Sequence, residues 1–109
     1  MNNWSTGKNL RDDDRYKVKD ISTLAQRARQ AFLEYSPMRF EATRRHIYRR
    51  IAYGPLLDVF VLDLRSYRGP NNYNRQPTES AQTRFLGDEQ IRWFQQDLKS
   101  SSAVWKVIA

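Results

Sequence analysis

The stretch "VFVLDLRSYRG", residues 59–69, runs through four apolar positions and then turns, within six residues, into an acid, two arginines and a tyrosine. Val59, Phe60, Val61, Leu62 and Leu64 lack the strict alternation of a strand with one wet face, so they read as a strand covered on both sides. Such strands belong to layered α/β domains. Ligands in that class gather beyond the carboxyl ends of the strands, where Asp63, Arg65, Tyr67 and Arg68 emerge before Gly69-Pro70 turns the chain.

On the amino-terminal side, Gly54-Pro55 predicts a turn, and Ile47, Tyr48, Ile51 and Tyr53 fit a strand better than a helix, although Arg49 and Arg50 interrupt the period. Residues 47–64 are therefore expected to form a strand pair. Further upstream, Leu24, Ala28, Ala31, Phe32 and Tyr35 recur at spacings of three and four, which predicts a helix over 22–36 with Ser22 as its cap and Ser36-Pro37 as its stop. Residues 1–21 read as a polar loop. Downstream, residues 69–85 hold two prolines and three asparagines and describe a loop excursion from the core. The segment 88–99 predicts a second helix, with Asp88 and Glu89 in its first turn, Lys99 in its last, and Ile91, Phe94 and Leu98 as a buried stripe. Residues 104–109, "VWKVIA", close the chain as a strand. The expected fold class is α/β or α+β: a partial layered sheet with two main helices in one unit, residues 1–109.

Composition bounds the function. A chain of 109 residues makes at most one small domain, and 39% hydrophobic content with a mean hydropathy of -0.84 is low for a self-sufficient core. The net charge is +7, and 14 of the 19 basic residues are Arg, which favours bidentate recognition of carboxylate or phosphate. There is no Cys, hence no disulfide framework, thiolate metal site or thiol nucleophile. No apolar run approaches the ~18 residues of a membrane span, and the polar start has neither the apolar core of a signal peptide nor transit-peptide character.

The candidate site residues divide unevenly. Asp63 reads as a structural strand-end acid that accepts loop amides or pairs with an arginine; alternatively Arg65 or Arg68 faces a cleft and holds phosphate through a fork of N–H donors. His46, the only His, has no Asp or His at ligand spacing, and Asp12, Asp13 and Asp14 lack the Gly and distal Glu of an EF-hand loop. A two-metal phosphate-cleaving centre needs ions about 3.5 to 4 Å apart, held by several hard O and N ligands, and this inventory does not supply them. Arg44, Arg45, Arg49 and Arg50, interleaved with Tyr48 and Tyr53, make a basic cluster that reads as a solvated strand face; a small nucleic-acid-binding module is the alternative. Trp93 and Trp105 are expected to pack the last helix on the sheet. Asn3-Trp4-Ser5 fits the N-glycosylation pattern but lacks a secretory context.

Several motifs carry a resemblance in chain order. "FLGDEQIRWFQQDLKSSSAVWKVIA" is similar to a segment of PhoD-like alkaline phosphatases in which a leucine-glycine pair, a glutamine, a tryptophan, a leucine, a serine and a "WKVIA" strand recur. "VFVLDLRSYRG" resembles that family's "LDTRSYR" strand, with Leu64 where Thr is usual. "IYRRIAYG" and "AFLEYSP" resemble the strand and helix before it, and the opening "NNWS" resembles the tail of a "DDHEVTNNW" metal-site motif. The resemblance implies a fragment of the αββα sandwich of calcineurin-like metallophosphoesterases, and a parent that hydrolyses phosphate mono- or diesters with Fe, Ca, Mn or Zn ions. It implies Asn3, and less directly Asn2, as the position that touches a metal, with the remaining ligands outside this chain. Complete members of the family are often secreted or periplasmic. The isolated chain is expected to be inactive, to bind no metal alone, and to be marginally stable or self-associating through its uncovered sheet.

Overall fold

The computed structural model describes residues 3–39, 46–70, 72–73 and 75–109; Asn2, Arg44 and Arg45 lie outside them. Five elements follow one another: α1 (Ile21–Tyr35), β1 (Arg49–Tyr53), β2 (Leu57–Val61), α2 (Asp88–Ser100) and β3 (Trp105–Ile108). The sheet order is β1-β2-β3, so β2 is central. β1 and β2 form an antiparallel hairpin in which Ile51 lies opposite Val59, turned by Gly54 at φ 65, a left-handed conformation that glycine adopts without a Cβ penalty. β3 pairs with β2 in parallel, Val107 opposite Val59, and the return between them runs through α2. A parallel neighbour requires such a crossover.

The α1 cap is Asp20, not Ser22. Its carboxylate accepts the backbone N–H groups of Ser22 and Thr23 and both of their hydroxyls. The helix begins at Ile21, which puts Asp20 at the capping position, and its negative charge suits the positive end of the helix dipole. These bonds hold the Asp20 carboxyl below the usual carboxylate range, the Thr23 hydroxyl being the largest cause.

β2 is not covered on both sides. Burial alternates along it: Asp58 and Phe60 are inside, whereas Leu57, Val59 and Val61 are half-buried. α2 lies over the Phe60 face, with Phe94 meeting Phe60 edge-on at 5.6 Å between ring centroids. Among the described residues no comparable layer covers the opposite face, and Trp105 there is 69% exposed rather than packed under the last helix. The stripe expected of α2 is likewise displaced. Ile91 is exposed, Phe94 and Leu98 are half-buried, and the fully buried residue of the helix is Gln90. α1 buries nothing completely; Phe32 is 43% exposed along an open groove of about 670 Å³ that Trp4, Tyr16, Leu24 and Ile47 also line.

The dimensions agree with an open layer. The chain exposes 8831 Å², against roughly 6,300 Å² for a compact chain of this mass. Its radius of gyration is 16.5 Å, against about 13 Å for a closed domain of this length, and its extents are 51 × 39 × 21 Å. One helix on one face of three strands does not close a core. The amino-terminal loop helps where it can, burying Leu10 and Ser5.

Candidate functional site

The polar cluster at the end of β2 is built on Asp63 and Gln90. Asp63 is buried, and its carboxylate accepts the backbone N–H groups of Arg65 and Ser66 at 2.9 Å each, which turns the chain sharply out of the strand. Its own N–H donates to Gln90 Oε1 at 2.7 Å, and its carbonyl accepts from Gln90 Nε2 at 3.1 Å. Gln90 Nε2 also donates to the Leu86 carbonyl at 2.7 Å. One side chain thus ties the first turn of α2 to the strand end, and its burial is tolerable because both ends of the amide are bonded.

Glycines let the surrounding backbone approach. A Cβ on Gly87, which precedes α2 at φ 77, would lie 2.9 Å from the Tyr67 Cβ. At Gly69 it would meet the Gln82 carbonyl oxygen at 2.5 Å. The Gly69 N–H donates to the Arg84 carbonyl at 2.8 Å, so the loop over 69–85 is pinned at its base. Tyr67 is half-buried beside Tyr48, and burial, reinforced by Tyr48 and Asp63, pushes its hydroxyl up to about 12.

Asn3 and Arg65 come together. Arg65 Nη1 donates to Asn3 Oδ1 at 2.8 Å across 62 positions of sequence, and Asn3 holds a left-handed φ of 52. Arg68 goes elsewhere: its guanidinium lies over the Phe85 ring at 5.1 Å, and its Nε is buried without a hydrogen-bond partner. His46 stacks on Tyr48 at 3.9 Å, with Nδ1 at 3.0 Å from the Tyr48 carbonyl oxygen. Of the acidic run, Asp13 pairs with Arg15 at 2.7 Å, and that contact holds its carboxyl at about 2. Among the described residues no group of three or more His, Asp or Glu could hold a metal ion. Asn3 Oδ1 accepts from the Arg65 guanidinium, so a cation already lies beside that oxygen. Among the described residues, then, the side chains are not gathered into a ligand set for a metal ion.

The basic cluster is not simply a solvated face. Arg50 Nη2 reaches the buried Asp58 carboxylate at 2.6 Å, Ser101 donates its hydroxyl to the same oxygen, and the guanidinium lies 5.9 Å from the Phe60 ring centroid. Sequence reading passes over both Asp58 and Gln90. The available signal for Asp58 is the hairpin itself, because Gly54-Pro55 sets a register that puts Arg50 opposite Phe60, diagonal to Asp58. For Gln90, the resemblance carries a recurring glutamine but assigns it no role.

Asp58 is expected to make the fold acid-sensitive. The Ser101 hydrogen bond, and then Arg50, hold its carboxyl below the ordinary 3.8 despite the opposing cost of desolvation. A carboxyl lowered in the folded state stabilises above its unfolded value and loses that contribution as pH falls through the folded one. Urea midpoints should therefore fall on acidification below about pH 4, and Asp58→Asn should flatten that slope while lowering stability at neutral pH. Asp13 and Asp20 add slope of the same sign, so an Asp58→Asn profile parallel to wild type would assign the whole effect to them.

Taken together, the elements define an α+β layer, a mixed three-stranded sheet with a polar cluster at the carboxyl end of its central strand. Comparison with known proteins places it further. The sequence profile of the family described as PhoD-like phosphatase matches residues 1–109, and the chain belongs to that family. It is 35% identical over 92 residues to alkaline phosphatase D of Bacillus subtilis (strain 168), covering 75% of this chain and 16% of that protein. A solved structure titled "Structure of PhoD" superposes on 99% of the chain with a TM-score of 0.64 at 29% identity, over 22% of its own length. The chain thus spans less than a quarter of the length of the relatives it matches.

Proposed function

We propose that residues 1–109 are a wall segment of a PhoD-like phosphatase or phosphodiesterase whose whole domain hydrolyses phosphate esters with bound metal ions. The observation that carries this reading is the Asn3–Arg65 bond, read in the light of the family match. It joins the position resembling a metal-site motif to an arginine at the mouth of the central strand. The family's ions, of the Fe, Ca, Mn or Zn kind, would be held by donors from outside this chain.

The chain's own part in hydrolysis is positional. A guanidinium has five N–H donors, and the one spent on Asn3 fixes the plane of the others. A fixed fork suits the oxygens of a phosphate ester and leaves its orientation determined before reaction. Asp63 and Gln90 hold the turn that carries Arg65, while Arg68, committed to Phe85, braces the loop over 69–85. The nucleic-acid alternative loses its main support, since Arg50 is spent on Asp58 and Arg49 Nη1 on the Ile47 carbonyl.

A chimera tests the proposal. Residues 1–109 would replace the corresponding segment of Bacillus subtilis alkaline phosphatase D, and hydrolysis of an aryl phosphate diester would be followed with Arg65→Ala and Asn3→Ala. Arg65→Ala should lower kcat/KM by about ten- to a hundredfold, the scale of a charge-assisted hydrogen bond. Asn3→Ala should lower kcat/KM in the same direction, because it releases the Arg65 guanidinium from the bond that orients it. A folded, active chimera indifferent to both changes would remove these residues from the site and leave only the family assignment.

A further inference from the structure

The guanidinium of Arg68 is positioned but has no anion. It lies over the Phe85 ring at 5.1 Å, and its Nε is buried without a hydrogen-bond partner. A buried donor on a cation is costly to leave unbonded, and a stack uses the face of the guanidinium while its N–H groups point out along the edge. Beside it the loop over 69–85 folds around an open hollow of about 480 Å³, whose lining includes Arg68, Arg84, Gln76, Gln82, Thr78 and Glu79. Two cations stand there against one acid. The Arg84 guanidinium is 51% exposed and lies 3.9 Å from the Asp88 carboxylate, at the far limit of an ion pair.

The rim of the hollow is already in place. The Gly69 N–H donates to the Arg84 carbonyl at 2.8 Å, and a Cβ at Gly69 would lie 2.5 Å from the Gln82 carbonyl oxygen. Thr83 closes a turn on Ser80, accepting its N–H on Oγ1 at 2.9 Å and donating its own N–H to the Ser80 carbonyl at 3.0 Å.

We propose that this hollow is an oxyanion site, which takes phosphate, or the phosphate group of a larger ligand, on the Arg68 and Arg84 guanidiniums. Planar forks of N–H donors suit tetrahedral oxyanions, and the side-chain amides of Gln76 and Gln82 supply neutral donors beside them. Glu79 repels an anion set against it, so the ligand sits on the arginine side. Arg65 is turned to Asn3 and belongs to a different contact. The proposal therefore does not rest on the phosphatase reading, and either can fail alone. A carboxylate from the remainder of a whole domain presents the same oxygens, so the test separates the two sources.

A ligand that binds only the folded chain raises its unfolding midpoint. Urea midpoints of the intact 109-residue chain are compared in inorganic phosphate and in chloride of equal ionic strength, since phosphate also stabilises by exclusion from any protein surface. Phosphate affinity read from the shift should fall about tenfold or more in Arg68→Gln. Arg84→Gln, at an exposed position where folding tolerates the change, should weaken it too, whereas Lys99→Gln removes the same charge elsewhere and should leave it unchanged. In proton–nitrogen spectra the Arg68 Nε–H resonance should move saturably with phosphate. A midpoint shift equal in wild type, Arg68→Gln and Arg84→Gln overturns the proposal, as does one abolished by Arg65→Gln, which would put the anion at the strand mouth. In the chimera with Bacillus subtilis alkaline phosphatase D the Arg68-dependent shift should persist. A chimera destabilised by Arg68→Gln yet indifferent to phosphate would assign the arginines to a carboxylate of the domain, and would overturn the proposal as well.

Discussion

Phe60→Ala is expected to leave the chain without a cooperative unfolding transition. Phe60 is fully buried on the central strand, edge-on to Phe94 and beneath the Arg50 guanidinium. Truncating such a side chain typically costs 3 to 5 kcal/mol, on the order of the transfer term plus the cavity left behind. A complete domain has only ~5 to 15 kcal/mol to lose. This chain is expected to stand at the low end, since among the described residues one sheet face lacks a covering layer and α1 buries no residue completely. The loss would also reach the Asp58–Arg50 pair, whose cation rests against the Phe60 ring. Phe60→Leu, which keeps most of the volume, should retain a broadened transition. Circular dichroism during urea titration distinguishes the outcomes, and a Phe60→Ala midpoint close to wild type would place the core elsewhere.

The sequence discloses elements more readily than layers. Gly54-Pro55 between apolar runs announces the hairpin, and the spacing of Leu24, Ala28 and Phe32 announces α1, because turn chemistry and helical period are local properties. Whether an apolar stripe is covered is not local. Phe32 and Trp105 have the side chains of core residues and stand in water here, since periodicity reports which side is apolar and says nothing of what lies opposite. The reading of β2 as covered on both sides fails for this reason.

Polar burial was illegible for a related cause. Asp58 is held by Ser101, 43 positions away, and Gln90 by Asp63, 27 positions away, so neither announces itself as a core residue in its own segment. Asn3 and Arg65 are each singled out by the residues around them, but their contact spans 62 positions and only the fold makes it visible. Gly87 is legible as a helix boundary, whereas its close approach to Tyr67 is not.

The central claim is that this chain carries a wall of a PhoD-like site without the donors that hold its metals, and chelator-sensitive hydrolysis by the purified 109 residues tests it most directly. A two-metal centre requires several hard ligands around each ion, and the sequence offers one His, stacked on Tyr48, and an Asn3 engaged by Arg65. The expected result is no turnover of an aryl phosphate monoester or diester above background with Fe, Ca, Mn or Zn added. Robust hydrolysis that chelator abolishes and that survives further purification would contradict it, and would mean that these 109 residues assemble a complete catalytic centre.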